Sequence, residues 1–188
     1  MNIPADYEPW VQWLYEQVLA PGDYCVDVGA SVYRVSYATP AEAGLLGEYF
    51  SENDLTGERT TRVDATIAFD WFGLAPAPGM PADGFSVRYT GEVEPEFDES
   101  YTFSVDTEDD VRLWVDDVLL VEQPSGPSSG TIALEADRRY PLRLEFVENT
   151  GSARVVLNWE SPSQPLEVVP SDRLHPPDSA AEQRQSTR

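Results

Sequence analysis

The stretch YTFSVDTEDDVRLWVDDVLLVE, Tyr101 to Glu122, decides the fold of this chain. Tyr101, Phe103 and Val105 alternate with polar neighbours. Val111, Leu113 and Val115 alternate with Arg112 and Trp114. A period of two is the pattern of a strand with one buried face. Between the two strands stand three consecutive acids, Glu108, Asp109 and Asp110, and a second acidic pair, Asp116-Asp117, follows the second strand. Adjacent carboxylates repel one another, so each cluster calls for a physical reason.

The same period extends outward from Gly44. FSVRYTGEV sets Phe85, Val87 and Tyr89 against Ser86, Arg88 and Thr90; RYPLRLEF aligns Tyr140, Leu142, Leu144 and Phe146; RVVLNW aligns Val155, Leu157 and Trp159. Two Pro/Gly-rich runs, FGLAPAPGMPADG before Phe85 and PSGPSSG before Thr131, read as loops. Short alternating strands divided by turn residues predict an all-β chain, an antiparallel β-sandwich or barrel with one wet face per sheet. Trp71, Trp114 and Trp159 are read as packing residues. Gly47, Gly57 and Gly91 are read as turn or bulge glycines.

Residues 1–42 differ. Trp10, Leu14 and Val18 recur at helical spacing within Tyr7–Ala20, Pro21-Gly22-Asp23 stops that helix, and YCVDVGA (Tyr24–Ala30) reads as a buried strand. PGDYCVDVGA also resembles the first strand and turn of class I methyltransferases, which would put Asp27, Gly29 and Ala30 at a cofactor turn. That resemblance covers a dozen residues, and Val32–Tyr37 does not read as the helix it requires. The chain thus divides into a helix–strand extension or methyltransferase-like fragment over 1–42, a sandwich over 43–177, and a polar, disordered tail over 178–188.

Composition restricts the function. The net charge is −22, and the twelve basic residues are all arginine. Nucleic acid and anionic membrane surfaces are poor partners for such a chain, and a divalent cation is a better one. The single cysteine, Cys25, allows no internal disulfide and no cysteine-based zinc site. The single histidine, His175, lies in LHPP and is read as solvated. No apolar run is long enough to insert in a membrane, and no signal peptide is visible.

Read in order, GLLGEYF with DLTG, RVDATIAFDW, PADGFSVRYTGEV, YTFSVDTEDDVRLWVDD, RYPLRLEF and VLNWESPSQPLEVVPSDRLHPP resemble the anthrax protective-antigen domain family. This is a lectin-like, jelly-roll β-sandwich module of toxins, glycosidases, adhesins and flocculins. The resemblance covers Gly44 to Pro177. It implies a calcium-dependent carbohydrate-binding module, not an enzyme, with glycans or glycoconjugates as partners. In lectin members two neighbouring acids joined by a cis peptide point at one calcium ion, and sugar hydroxyls complete its shell. Laid over that pattern, the metal set is Glu108, Asp109, Asp110 and Asn149. Either Glu108-Asp109 or Asp109-Asp110 is the pair, and Asp109 is common to both. The ligand-binding residues are Asp109, Glu148 and Asn149, the last two in the loop VENTGSA. Asp116-Asp117 is read instead as a hairpin tip, where residues tolerant of positive φ are favoured. The resemblance also implies an extracellular or cell-surface setting. The rival reading is a structural or protein-interaction accessory domain, joined to other domains of a larger secreted enzyme or adhesin.

Overall fold

A computed structural model describes residues 24–28, 31–35, 43–124, 126 and 128–177. The expected helix over Tyr7–Ala20 and the tail from residue 178 lie outside the described residues. The chain divides into two units, Met1–Pro40 and Ala41–Arg188. In the first, β1 (Tyr24–Val28) pairs antiparallel with β2 (Ser31–Val35), in register from Tyr24↔Val35 to Val28↔Ser31. A strand, not a helix, therefore follows the DVGA stretch.

Among the described residues the second unit holds twelve strands: β3 (Leu45–Phe50), β4 (Arg59–Asp64), β5 (Ala68–Asp70), β6 (Ser86–Val93), β7 (Glu99–Asp106), β8 (Asp110–Val115), β9 (Val118–Gln123), β10 (Ser129–Leu134), β11 (Tyr140–Val147), β12 (Arg154–Glu160), β13 (Glu167–Val168) and β14 (Leu174–His175). One sheet runs β4-β3-β6-β11-β8-β9, with β14 also on β6; the other runs β10-β7-β12-β13, with β5 also on β12. Every pairing is antiparallel.

The alternation explains the two layers. Tyr89, Leu113, Leu144 and Phe146 of one sheet and Tyr101, Phe103, Leu157 and Trp159 of the other are all buried in one continuous core. Their polar neighbours form the outer face. There Glu122, Arg112, Glu145, Arg88 and Glu48 stand opposite one another across β9, β8, β11, β6 and β3, a row of alternating charge. Arg112–Glu122 and Arg88–Glu145 are ion pairs at 3.1 Å.

Four residues depart from the sequence reading. Trp71 and Trp159 pack with the core, but Trp114 lies on the outer face, where the Arg143 guanidinium sits 4.0 Å over its ring. The alternation already assigned it that face, and a cross-strand cation completes its packing. Gly47 is not in a turn: it lies within β3, where a Cβ would meet Asp64 Oδ2 at 2.7 Å and the Tyr49 ring at 2.9 Å. Gly91 lies within β6, where a Cβ would stand 2.3 Å from the His175 carbonyl of β14. His175 is not solvated. It pairs with Glu92, its side chain is 15% exposed, and its Nε2 lies 3.2 Å from Glu94 Oε2.

Gly47 makes room for a buried polar network. Tyr49 donates to Asp64 Oδ2 at 2.5 Å; Arg62 donates to Asp64 Oδ1 and to the Tyr49 hydroxyl, both at 2.6 Å; and Tyr89 lies 3.1 Å from that hydroxyl. Burial pushes the Asp64 carboxyl up, against the opposing pull of Tyr49 and Arg62. Burial and the Asp64 charge push the Tyr49 hydroxyl up as well.

Candidate functional site

The loops at one end of the sandwich converge on a small group of acids. Asp109 precedes β8, and its N–H donates to Thr107 Oγ1 at 3.1 Å. This local bond turns the chain between β7 and β8 without help from the carboxylates. The Arg154 backbone N–H at the start of β12 faces the half-buried Asp109 carboxylate and favours the charged form. Glu148 follows β11 and is fully buried. Its N–H donates to the Phe85 carbonyl at 3.0 Å, and its Oε2 accepts the Gly84 N–H at 2.7 Å. Asp83 completes the group by accepting the Gly151 N–H at 3.0 Å.

The electrostatics are those of under-compensated acids. Burial, then the charges of Glu148 and Asp110, push the Asp109 carboxyl up to about 6. Burial pushes Glu148 up too; the Gly84 N–H opposes this and Asp83 adds to it. Asp109 Oδ2 and Glu148 Oε1 are buried and meet no donor among the described residues. Leaving such atoms unpaired costs about 1–3 kcal/mol each, and more when charged. The nearby Arg154 does not relieve them, because its side chain pairs with Asp106 at 2.6 Å.

The structure sorts the residues expected from sequence. Asp109 and Glu148 come together. Glu108 and Asp110 are exposed. Asp110 begins β8 opposite Val147 and lines a separate groove of about 290 Å³ with Asn53, Arg112 and Glu122. Neither neighbour therefore joins Asp109 as a converging pair. The cis bond expected between two acids is not there either, since Gln123-Pro124 is the only cis peptide among the described residues. Asn149 is exposed, and its Oδ1 accepts the Asn53 Nδ2 at 3.1 Å. It braces the β3–β4 loop. Among the described residues no three acid, imidazole or thiol side chains stand at metal-ligand spacing. Two unpaired carboxylate oxygens remain, and such oxygens suit a hard cation that takes carbonyl and hydroxyl oxygens besides. Asp83 was missed by sequence reading because it lies in the Pro-rich loop, which carries no alternating pattern.

The second acidic pair has a different origin. Asp116 and Asp117 have φ of 50° and 60°, between Val115 and Val118, which are paired. They form a two-residue hairpin tip, as the sequence predicted.

The comparisons agree with this architecture. A family model described as PA14 domain matches residues 41–173. The anti-sigma-I factor RsgI3 of Acetivibrio thermocellus is 40% identical over 146 residues, which is 76% of this chain and 23% of that protein. An anti-sigma factor domain-containing protein from Clostridium clariflavum has a solved structure with a TM-score of 0.67 and 40% identity, covering 71% of this chain and 47% of that one. This chain thus spans under half the length of either relative. The Epithelial Adhesin 6 A domain from Candida glabrata, solved in complex with Galβ1-3GlcNAc, has a TM-score of 0.55 and 16% identity over 74% of this chain and 88% of that one. It shares the fold.

Proposed function

The chain belongs to the PA14 domain family, and on that premise we propose that it is a carbohydrate-binding module whose tip takes a divalent cation, calcium by preference. One observation carries the reading: Asp109 Oδ2 and Glu148 Oε1 are buried in the same group of loops with no donor. Asp109 and Glu148 would hold the ion, with Asp83 adding negative charge beside it. A bound calcium supplies the missing positive charge and coordination positions that ligand hydroxyls can fill. Glu148 is fixed in advance by the Gly84 N–H, so little ordering of its side chain is left for binding. This chemistry is recognition and needs no nucleophile.

The glycan half of the proposal draws support from the sugar complex of an adhesin of the same fold. The 40% identity to an anti-sigma-I factor favours a second reading of context. In it the domain is one module of a longer regulatory protein, and its ligand is a signal rather than an anchor. Both readings use the same tip.

The test is a calcium titration by calorimetry on the wild type, Asp109→Asn and Glu148→Gln, followed by a glycan array with calcium and with chelator. Saturable heat in the wild type that both variants lose, with chelator-sensitive glycan binding, is the expected result. No heat at millimolar calcium, where weak extracellular modules still bind, would sink it.

A further inference from the structure

The turn Trp71–Leu74 is built against its own backbone preference. Leu74 N–H donates to the Trp71 carbonyl at 2.8 Å, and the two central residues, Phe72 and Gly73, have φ of 52° and 74°. A turn with positive φ at both centres favours Asn, Asp or Gly at the first of them. A bulky residue there is a steric outlier that persists only where its surroundings fix it. Folding does not account for the ring, because Phe72 is 77% exposed and Leu74 is 69% exposed.

The turn belongs to the acidic tip. Trp71 N–H donates to the Ala153 carbonyl at 2.9 Å, and the next residue along, Arg154, turns its N–H toward Asp109. A Cβ at Gly73 would stand 3.5 Å from the carbonyl of Gly151, whose N–H is held by Asp83. The base of the turn is rigid: Trp71 stacks on Phe69 at 5.2 Å and meets Phe85 and Phe146 at 5.5 and 5.8 Å. Asp70 Oδ1 accepts the Phe72 N–H at 3.1 Å. A strained, exposed aromatic thus stands on a turn tied through Ala153 and Gly151 to the segment that borders the acidic tip.

We propose that Phe72, extended by Leu74, is the platform on which the apolar face of a pyranose ring stacks when its hydroxyls meet the Asp109–Glu148 site. The assignment rests on the cation site proposed above. A pyranose matches both halves of this surface, with C–H groups for the ring face and vicinal hydroxyls for the acidic end. Two exposed apolar side chains fall far short of the roughly 20–30 residues a side of a stable protein interface.

The test uses Phe72→Asn and Phe72→Trp. Asparagine suits the turn better, so Phe72→Asn keeps the fold, with a melting temperature equal to or above the wild type, and leaves the calcium isotherm unchanged. Binding is read on an array of galactosides, glucosides, xylosides and mannosides in calcium, then by NMR of the best binder. We expect Phe72→Asn to weaken glycan binding roughly tenfold and to abolish the upfield ring-current shift of the sugar C–H protons, while Phe72→Trp retains both. Wild-type glycan affinity in Phe72→Asn would overturn the platform, and so would a calcium-loaded wild type that binds none of these glycans. A wild type with no calcium heat would overturn the cation site beneath it.

Discussion

Asp109, just before β8, and Glu148, just after β11, lie at the same end of two paired strands and place like charges together, each with one buried carboxylate oxygen that no donor reaches. Burial raises the pKa of both groups; the Glu148 charge raises that of Asp109 further, and Asp83 that of Glu148. A site that must attract a cation needs such under-compensation, because a fully satisfied carboxylate has little to gain from an ion.

Divalent-cation binding should therefore depend on these two residues and much less on their neighbours. Asp109→Asn and Glu148→Gln are expected to remove the calorimetric heat. Glu108→Gln should change affinity only a few-fold, since Glu108 is exposed. Asn149→Ala should lower stability modestly, by about 0.5–1.5 kcal/mol for the lost Asn53 bond, with calcium binding retained. Calorimetry with thermal melts on all four variants separates the roles, and calcium binding lost only in Asn149→Ala would reverse the assignment.

The metal-free protein should lose stability as pH rises through the window of Asp109. The ordinary value of this carboxyl is 3.8 and the folded value is about 6. Between those values the folded chain holds a proton that the unfolded chain has released, so stability falls with rising pH. The loss is complete above about pH 6 and absent below about pH 4; solvent screening of a half-buried group limits it to about 1–2 kcal/mol. Melting curves in chelator from pH 4 to 7 should show the slope, and Asp109→Asn should reduce it, leaving the part that the raised Glu148 and Asp64 carboxyls contribute, and melt higher at pH 7. A wild type that gains stability across this window would contradict the raised value.

The alternating segments made the core strands legible before any coordinates. Phe85, Val87 and Tyr89 point inward because a period of two leaves a strand no other choice, and the same holds for β7, β8, β11 and β12. The short edge strands β5, β13 and β14 were not legible. Their few residues carry no period, and they form because β12 and β6 offer unpaired edges. His175 was misread for that reason: a Pro-flanked terminus looks solvated until Gly91 lets its carbonyl approach. At the tip, Asp109 and Glu148 were named from the family resemblance, and the neighbouring acids Glu108 and Asp110 are exposed. Adjacent residues point opposite ways on entering a strand, so Asp109 and Asp110 part company at β8.

Gly47→Ala should be among the most damaging single changes in β3. Its methyl would meet Asp64 Oδ2 at 2.7 Å and the Tyr49 ring at 2.9 Å, and both are held by Arg62. Displacing them separates a buried carboxylate from its donors, a change that typically costs about 3–5 kcal/mol. Asp64→Asn should cost less, because asparagine keeps an acceptor for Tyr49. Urea denaturation of both variants tests the order, and a tolerated Gly47→Ala would mean that the network has room to move.

The hairpin tip offers the cleanest contrast between the two acidic clusters. Asp116 and Asp117 hold φ of 50° and 60°, a region where aspartate is tolerated and glycine is unstrained. The Asp116 N–H also donates to the Pro141 carbonyl at 2.8 Å, a backbone bond that substitution of the side chain leaves intact. Asp117→Gly should therefore stabilise the protein by about 0.5–1 kcal/mol, and more so in low salt, where removing one negative charge from a chain of net −22 relieves repulsion. Its calcium isotherm should match the wild type. If Asp117→Gly instead abolished calcium heat while Asp109→Asn kept it, the cation would belong to the hairpin, and the under-compensation of Asp109 and Glu148 would need another purpose.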